Sequence, residues 1–382
     1  LPLQGPRARM AALQLVIGYW TRVTPRRYAL IVKALVYYGN KDIRLETDWP
    51  EPVAGPGRVK LKMMSASICA TDIEEWQHGP LWVAHEAPNP LSGRQVPLIL
   101  GHEAAGVVEE IGEGVTGVKV GQRVAVENVE TCGVCFWCKR GESAVCPSMA
   151  VFGLSADGGL AEYASWRGDQ LIPLPDSISD SEASLGEPTQ VAVHAVRRSG
   201  IKPGDTAAIV GCGAVGLLTL QMAKAAGVKV IAIDQRASSL ELAEKLGADQ
   251  VLNRATDDVE SALIQSTDGV GPDFTFETAG AAQTPVDAIN WTRRGGTVVL
   301  VGIYSATPKL DFNQIVGLER TVIGSVAASP GDYQMAIDMI ARGVIDVSFM
   351  VSDVIPLDDV IERGFERMIQ PDKDVFRIVV QP

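Results

Sequence analysis

Cys132, Cys135, Cys138 and Cys146 stand within fifteen residues, in the run TCGVCFWCKRGESAVC, and no other feature of this chain restricts its fold as tightly. Two-residue gaps let one turn of backbone aim several thiolates at a single point, and four thiolates at about 2.3 Å satisfy a tetrahedral zinc. Disulfides are the competing use of these side chains, but closely spaced cysteines in an intracellular enzyme more often hold a metal. The run is expected to fold around a structural zinc. Four protein ligands leave no open corner for a substrate, so this site is architecture and says nothing about activity.

At 382 residues the chain exceeds what one hydrophobic core usually organises, which predicts two domains. With 46% hydrophobic and 21% charged residues it has the composition of an ordinary globular protein. No stretch reaches the roughly 20 uninterrupted apolar residues that span a bilayer, so a cytoplasmic body without a membrane role is expected. Residues 42–382 hold 27 Lys and Arg against 46 Asp and Glu. That acidic balance argues against a nucleic-acid partner. Residues 1–41 carry seven Lys or Arg and no acid, which together with the apolar run from Ala11 to Trp20 resembles a transit peptide. The plainer account is an upstream extension of a body that opens at Val32. Residues 1–31 have no helical or alternating period and are expected to be poorly ordered.

From Ala34 to about Ser165, short β-branched runs alternate with Gly and Pro, as in KALVYYG, GRVKLKMMSASI and GQRVAVE, which predicts a β-rich, barrel-like domain. After Asp205 the rhythm becomes strand, helix, strand: TAAIVG, AVGLLTLQMAKAAG, VKVIAID, SSLELAEKLGA. That alternation predicts a doubly wound parallel sheet, giving an α/β protein overall. The tail from about Pro330 is expected to return to the first domain.

In the second domain, Gly211, Gly213 and Gly216 form a Gly-x-Gly-x-x-Gly pattern, with Cys212, Ala214 and Val215 between them. The pattern is weak alone. Here it follows a strand-like run and opens a helix-like one, as a dinucleotide turn requires. The helix N-terminus supplies amides for a pyrophosphate. Eighteen residues beyond Gly216, Asp234 ends the next apolar run, where its carboxylate accepts from ribose hydroxyls and repels a 2′-phosphate. NAD is therefore favoured over NADP, although Arg236 keeps a case for NADP. Cys212 is read as a small side chain filling the turn.

Cys69 in SICATD and His102-Glu103 in GHEAAG offer a thiolate, an imidazole and a carboxylate away from the cysteine loop. Singly they are weak, since lone buried cysteines and histidines are usually structural. Their weight comes from their company. The ordered series Cys69-Ala70-Thr71-Asp72, Gly101-His102-Glu103, the four-cysteine loop, Glu187-Pro188 and Gly211 to Gly216 resembles the zinc-dependent medium-chain alcohol dehydrogenase family. Among its branches, KALVYYGNKDIRLE, NPLSG and EPTQVAVHAVRRSG are most similar to the butanediol and polyol dehydrogenases.

The resemblance implies a GroES-like catalytic domain over residues 32–191 and 328–382, and a Rossmann NAD domain over 192–327. It implies two zinc ions per chain. Cys69, His102 and one of Glu103 or Glu187 would bind the catalytic zinc, leaving a corner for a small alcohol or diol. Thr71 would meet the reacting hydroxyl, and Asp72 would fix the His102 tautomer. Ala70 stands where the family often has Gly, and Glu74 where many members carry a proton-passing histidine. Glu74 is thus a candidate for the relay. His194 is read as a packed core residue. By resemblance the segment from Trp76 to Pro90 lies near the substrate mouth, with Trp76 and Trp82 as candidates to line the pocket or as ordinary core or surface residues, and neither His78 nor His85 is read as a ligand. The family also implies homodimers or homotetramers joined through the cofactor domains, with TVIGSVAAS as a candidate edge. Sorbitol-type or threonine-type dehydrogenases are the alternative within the class, and a non-catalytic zinc-stabilised dinucleotide-binding protein is the alternative outside it.

Overall fold

A computed structural model describes residues 30–304, 306–370 and 375–382. The expected extension over residues 1–31 lies outside these except for Leu30 and Ile31, and Ile31 already opens the first strand, Ile31–Gly39.

The first unit is built on two β-sheets. One has three strands, with Ile31–Gly39 between Asp42–Pro50 and Leu98–Ile99. The other has seven and is organised around the long strand Arg58–Ile68. That strand pairs with Glu103–Ile111 on one side, and with Tyr163–Arg167 and the C-terminal strand Arg377–Gln381 on the other. The tail therefore closes the sheet that the N-terminal half begins, with Val379 opposite Ser67. Val59, Leu61 and Met63 alternate inward along the strand and join Trp166, Phe152 and Tyr37 in one core. Each fully buried Leu or Val there contributes about 1.5–3 kcal/mol.

The second unit is a six-stranded parallel sheet, whose strands, counted in chain order within it, lie 3-2-1-4-5-6. Its runs are apolar throughout because both faces are covered. Ala207, Ile209, Val230 and Ala232 face one helical layer with Leu217 and Leu218. Ala208, Val210, Ile231 and Ile233 face the other with Leu263 and Ile289. This is the doubly wound α/β fold with its switch of direction at Thr206–Val210, beside a GroES-like β-rich unit.

The expected boundary between residues 191 and 192 falls inside the single helix Gly186–Ser199. Nothing in QVAVHAV breaks a helix. Its first residue packs on Tyr333 and Ile337, and its later residues Val193 and Val196 enter the core of the parallel sheet.

His194 is packed, as expected, but not inertly. Its Nδ1 lies 2.8 Å from Asp332 Oδ2, and Arg197 pairs with the other oxygen of the same fully buried carboxylate. Burial alone would raise the Asp332 carboxyl, yet His194, the Ser329 amide and Arg197 outweigh it and hold the group below its ordinary value. A depressed carboxylate stabilises the fold above its unfolded pKa, and that contribution fades as pH falls through the folded value. Asp332→Ala is expected to lower stability by about 3 kcal/mol at pH 7, since it strands the partners of a buried pair. Urea unfolding should give a smaller difference at pH 3 than at pH 7.

Candidate active site

The four cysteine sulfurs lie within 4.8 Å of one another. Cys132 and Cys138 stand 3.9 Å apart, close to the separation of about 3.8 Å across a tetrahedral thiolate site and far from a disulfide length of about 2 Å. Backbone amides point at the sulfurs: Cys135 N–H donates to Cys132 Sγ at 3.3 Å and Cys138 N–H to Cys135 Sγ at 3.4 Å. The Val134 and Cys135 amides hold the Cys132 thiol down at about 6, so it is a thiolate at neutral pH. The donor set and spacing fit zinc.

The second cluster forms where the strand Arg58–Ile68 gives way to the helix Ala70–His78. Cys69 caps that helix, and its backbone N–H donates to Asp72 Oδ2 at 2.8 Å. The other Asp72 oxygen lies 3.3 Å from His102 Nδ1. A carboxylate only accepts, so Nδ1 carries the proton and Nε2 is left as the coordinating nitrogen. His102 enters from the start of Glu103–Ile111, the neighbouring strand. Cys69, His102 and Glu103 present ligand atoms within 4.8 Å of one another. Burial alone would lower the His102 imidazole, yet Asp72 and Cys69 raise it well above its usual value. The pocket thus favours a cation, and the soft sulfur and imidazole donors suit zinc. Thr71 Oγ1 stands 3.7 Å from Cys69 Sγ, beside the same point.

The two candidate glutamates are held differently. Glu103 is fully buried, accepts from Ser67 Oγ, and receives Arg377 through Nε at 2.8 Å and Nη2 at 2.8 Å. Arg377 Nη2 also lies 3.4 Å from Cys69 Sγ. Glu187 sits in the first turn of Gly186–Ser199 and, among the described residues, accepts a single neutral donor, Asn128 Nδ2 at 2.9 Å. Asn128 is steadied in turn by Gln190. Burial pushes the Glu187 carboxyl up to about 7. Arg377, Asn128 and Gln190 escaped the sequence reading, because they reach the cluster only through pairings between distant segments.

Glu74 is solvent-exposed on the helix Ala70–His78. Trp76 is partly buried against the core, edge-on to Phe365 at 5.7 Å. His78, His85 and Trp82 are exposed.

In the parallel sheet, Gly211 follows Thr206–Val210 with φ +97°, a left-handed turn that favours glycine. A Cβ on Gly216 would stand 1.8 Å from the Gly211 carbonyl, whereas one on Gly213 would meet nothing within 4 Å. The outer glycines are needed for packing, and the middle one faces open space where a pyrophosphate can approach the backbone. Ala214 and Val215 begin the helix Ala214–Ala225, whose amides point to that space. Asp234 ends Lys229–Asp234, accepting the Cys212 amide at 2.7 Å and the Arg236 amide at 2.8 Å. The Arg236 side chain turns back toward Asp234, 3.4 Å away. Cys212 is buried in the turn, and burial drives its thiol up to about 12.

Two family models match the chain: an alcohol dehydrogenase GroES-like domain over residues 55–176 and a zinc-binding dehydrogenase over 214–342. The (R,R)-butanediol dehydrogenase of Bacillus subtilis is 36% identical over 354 residues, covering 92% of this chain and 100% of the relative. Sorbitol dehydrogenase of the same organism is 33% identical over 356 residues, covering 92% and 97%. The crystal structure of 2R,3R-butanediol dehydrogenase from B. subtilis superposes with a TM-score of 0.85 at 35% identity, over 92% of this chain and 99% of that one.

Proposed function

The chain belongs to the zinc-dependent medium-chain alcohol dehydrogenase family, and from that premise we propose that it interconverts a vicinal diol of the 2,3-butanediol type with its ketone, using NAD. It is a zinc-binding, nicotinamide-dependent dehydrogenase of alcohols. The observation that carries the dehydrogenase reading is the Cys69, Asp72 and His102 arrangement, which sets a sulfur and a fixed imidazole around one point, and the similarity to the (R,R)-butanediol dehydrogenase supports the diol.

Cys69, His102 and Glu187 are the proposed ligands of the catalytic zinc, and the four-cysteine loop holds a second ion. Glu103, not Glu187, has an oxygen within 4.8 Å of the Cys69 and His102 ligand atoms, but Arg377 already neutralises it, and on that ground Glu187 is preferred. Zinc, when bound, supplies a Lewis acid that makes an alcohol proton labile near neutral pH. Thr71 accepts a hydrogen bond from the substrate hydroxyl and starts its proton outward. Asp72 keeps the His102 ring oriented throughout. The glycine turn and Asp234 hold the dinucleotide, so that the reacting carbons meet in near-attack geometry.

Four closely set thiols suit a reducing compartment, and the cytoplasm is the proposed location. No helix among the described residues is long and apolar enough to cross a membrane. Thr321–Gly324 is the terminal strand of the parallel sheet, and its continuation into a second copy is the proposed dimer contact.

The test is a panel of butanediol stereoisomers, sorbitol, threonine and simple alcohols, each with NAD and NADP. The reading predicts the highest kcat/KM for one butanediol stereoisomer with NAD. Preference for sorbitol or threonine would move the chain to the neighbouring branch. Asp234→Asn keeps an oxygen for the Cys212 amide but removes the charge facing a 2′-phosphate. It is expected to raise kcat/KM with NADP about tenfold and to lower it with NAD about tenfold, the size of one charged hydrogen bond.

A further inference from the structure

One buried group beside the glycine turn has no part in the chemistry above. Glu277 ends the strand Phe274–Glu277, which neighbours Thr206–Val210 in the sheet, and its side chain is fully buried. Its Oε1 accepts the Ala279 and Gly280 amides, each at 2.9 Å, and the Thr284 hydroxyl at 2.7 Å. Its Oε2 accepts the phenol of Tyr304, which comes from a different loop, the one after Thr297–Leu300.

These two loops touch. A Cβ on Gly302 would stand 2.5 Å from the Gly280 nitrogen and 2.7 Å from Glu277 Oε2. The first loop also rests on the glycine turn: Thr278 donates its hydroxyl to the Gly211 carbonyl at 2.7 Å, and a Cβ on Gly211 would stand 2.7 Å from Ala279 Cβ.

A turn with two amides to satisfy needs only a neutral oxygen, and burying a carboxylate among neutral donors is costly. A carboxylate offers one accepting oxygen to each loop and makes both bonds charge-assisted. A glutamine keeps one oxygen for the turn amides, but its NH2 can only donate to the Tyr304 oxygen, which reverses that bond and replaces it with a weaker neutral one.

The sheet order sets which half of a dinucleotide this concerns. Asp234 ends the strand on one side of Thr206–Val210, and Glu277 ends the strand on the other. A dinucleotide with its adenosine ribose on Asp234 extends its other half across the loops that Glu277 holds. We propose that Glu277 is a positioning residue that ties the loops 278–284 and 301–304 into the wall receiving the nicotinamide half of the cofactor. The proposal rests on the reading of residues 211–216 as the dinucleotide turn.

The experiment compares NADH with ADP-ribose, which keeps the adenosine half and lacks nicotinamide, on the zinc-loaded full chain by titration calorimetry. Glu277→Gln and Tyr304→Phe are each expected to weaken NADH about tenfold while changing ADP-ribose less than about twofold. Tyr304→Phe leaves the other donors to Glu277 in place, so it reads the link between loops even if Glu277→Gln folds poorly. Hydrogen exchange at the Ala279 and Gly280 amides should accelerate in Glu277→Gln. Equal weakening of both ligands, or unchanged NADH affinity in Tyr304→Phe, overturns the proposal. A wild-type chain that binds neither ligand overturns the dinucleotide reading itself and the proposal with it.

Discussion

Cys69→Ala is expected to release one of two zinc ions per chain and to lower kcat for alcohol oxidation by at least about a thousandfold, which is roughly 4 kcal/mol of transition-state stabilisation. The magnitude follows from what the ion supplies. Drawing the pKa of an oxygen acid down from its bulk-water value toward 7, as such an ion would, is worth on the order of 12 kcal/mol, so even a partial loss of that effect is large. The fold should survive, because the Cys69 backbone amide holds Asp72, and the sulfur adds only the N3 amide of the helix cap and the contact with Arg377 Nη2. The amide that donates to Asp72 persists in the alanine variant, and with it the orientation of His102. Cys132→Ala is the contrasting case. It removes a ligand from a closed loop whose amides are folded around sulfur, so it should lower the thermal midpoint sharply and touch kcat only through lost protein. Zinc content by mass spectrometry, kcat and melting temperature, measured on both variants, separate the two sites. A Cys69→Ala chain that retains both ions and normal turnover would remove Cys69 from the chemistry.

The contrast between the two candidate metal clusters also explains how much of this molecule is legible in its sequence. The cysteine loop and the glycine turn are local in sequence: the residues that mark them fall within fifteen and six positions respectively, so spacing alone carries the pattern. Alternation in RVKLKMMSASI and the doubly apolar runs TAAIV and KVIAID reflect one covered face and two covered faces respectively. They give the fold class. The catalytic cluster is different in kind. Cys69 and His102 are assembled by strand pairing, and Arg377 arrives from 274 residues beyond Glu103 through a register that no local pattern encodes. His194 and Asp332 are hidden likewise, since a histidine in an apolar helix looks the same whether or not a carboxylate faces it. The helix Gly186–Ser199 has no breaker where a domain boundary was expected, because a helix serving two cores has to be continuous.

Arg377→Met should be the most destabilising single change in the catalytic unit, lowering stability by about 3–5 kcal/mol in urea unfolding. Arg377 and Glu103 are both buried, and the guanidinium meets the carboxylate through Nε and Nη2. Methionine fills much of the volume, so the loss is electrostatic: Glu103 keeps Ser67 as a donor but loses the guanidinium paired with it. The pair joins the C-terminal strand to Glu103–Ile111 across Arg58–Ile68, so the loss falls on the strand that closes the sheet. If a stranded charge is the cause, making Glu103 neutral should undo much of it. Glu103→Gln added to Arg377→Met is therefore expected to recover about 2 kcal/mol, although Glu103→Gln alone destabilises by leaving Arg377 unpaired. A double variant no more stable than Arg377→Met would mean that packing of the arginine stem, and not charge pairing, holds the strand. The same proteins test the ligand assignment. With Glu187 as the third zinc ligand, the double variant keeps both ions, whereas a liganding Glu103 would cost it the catalytic one.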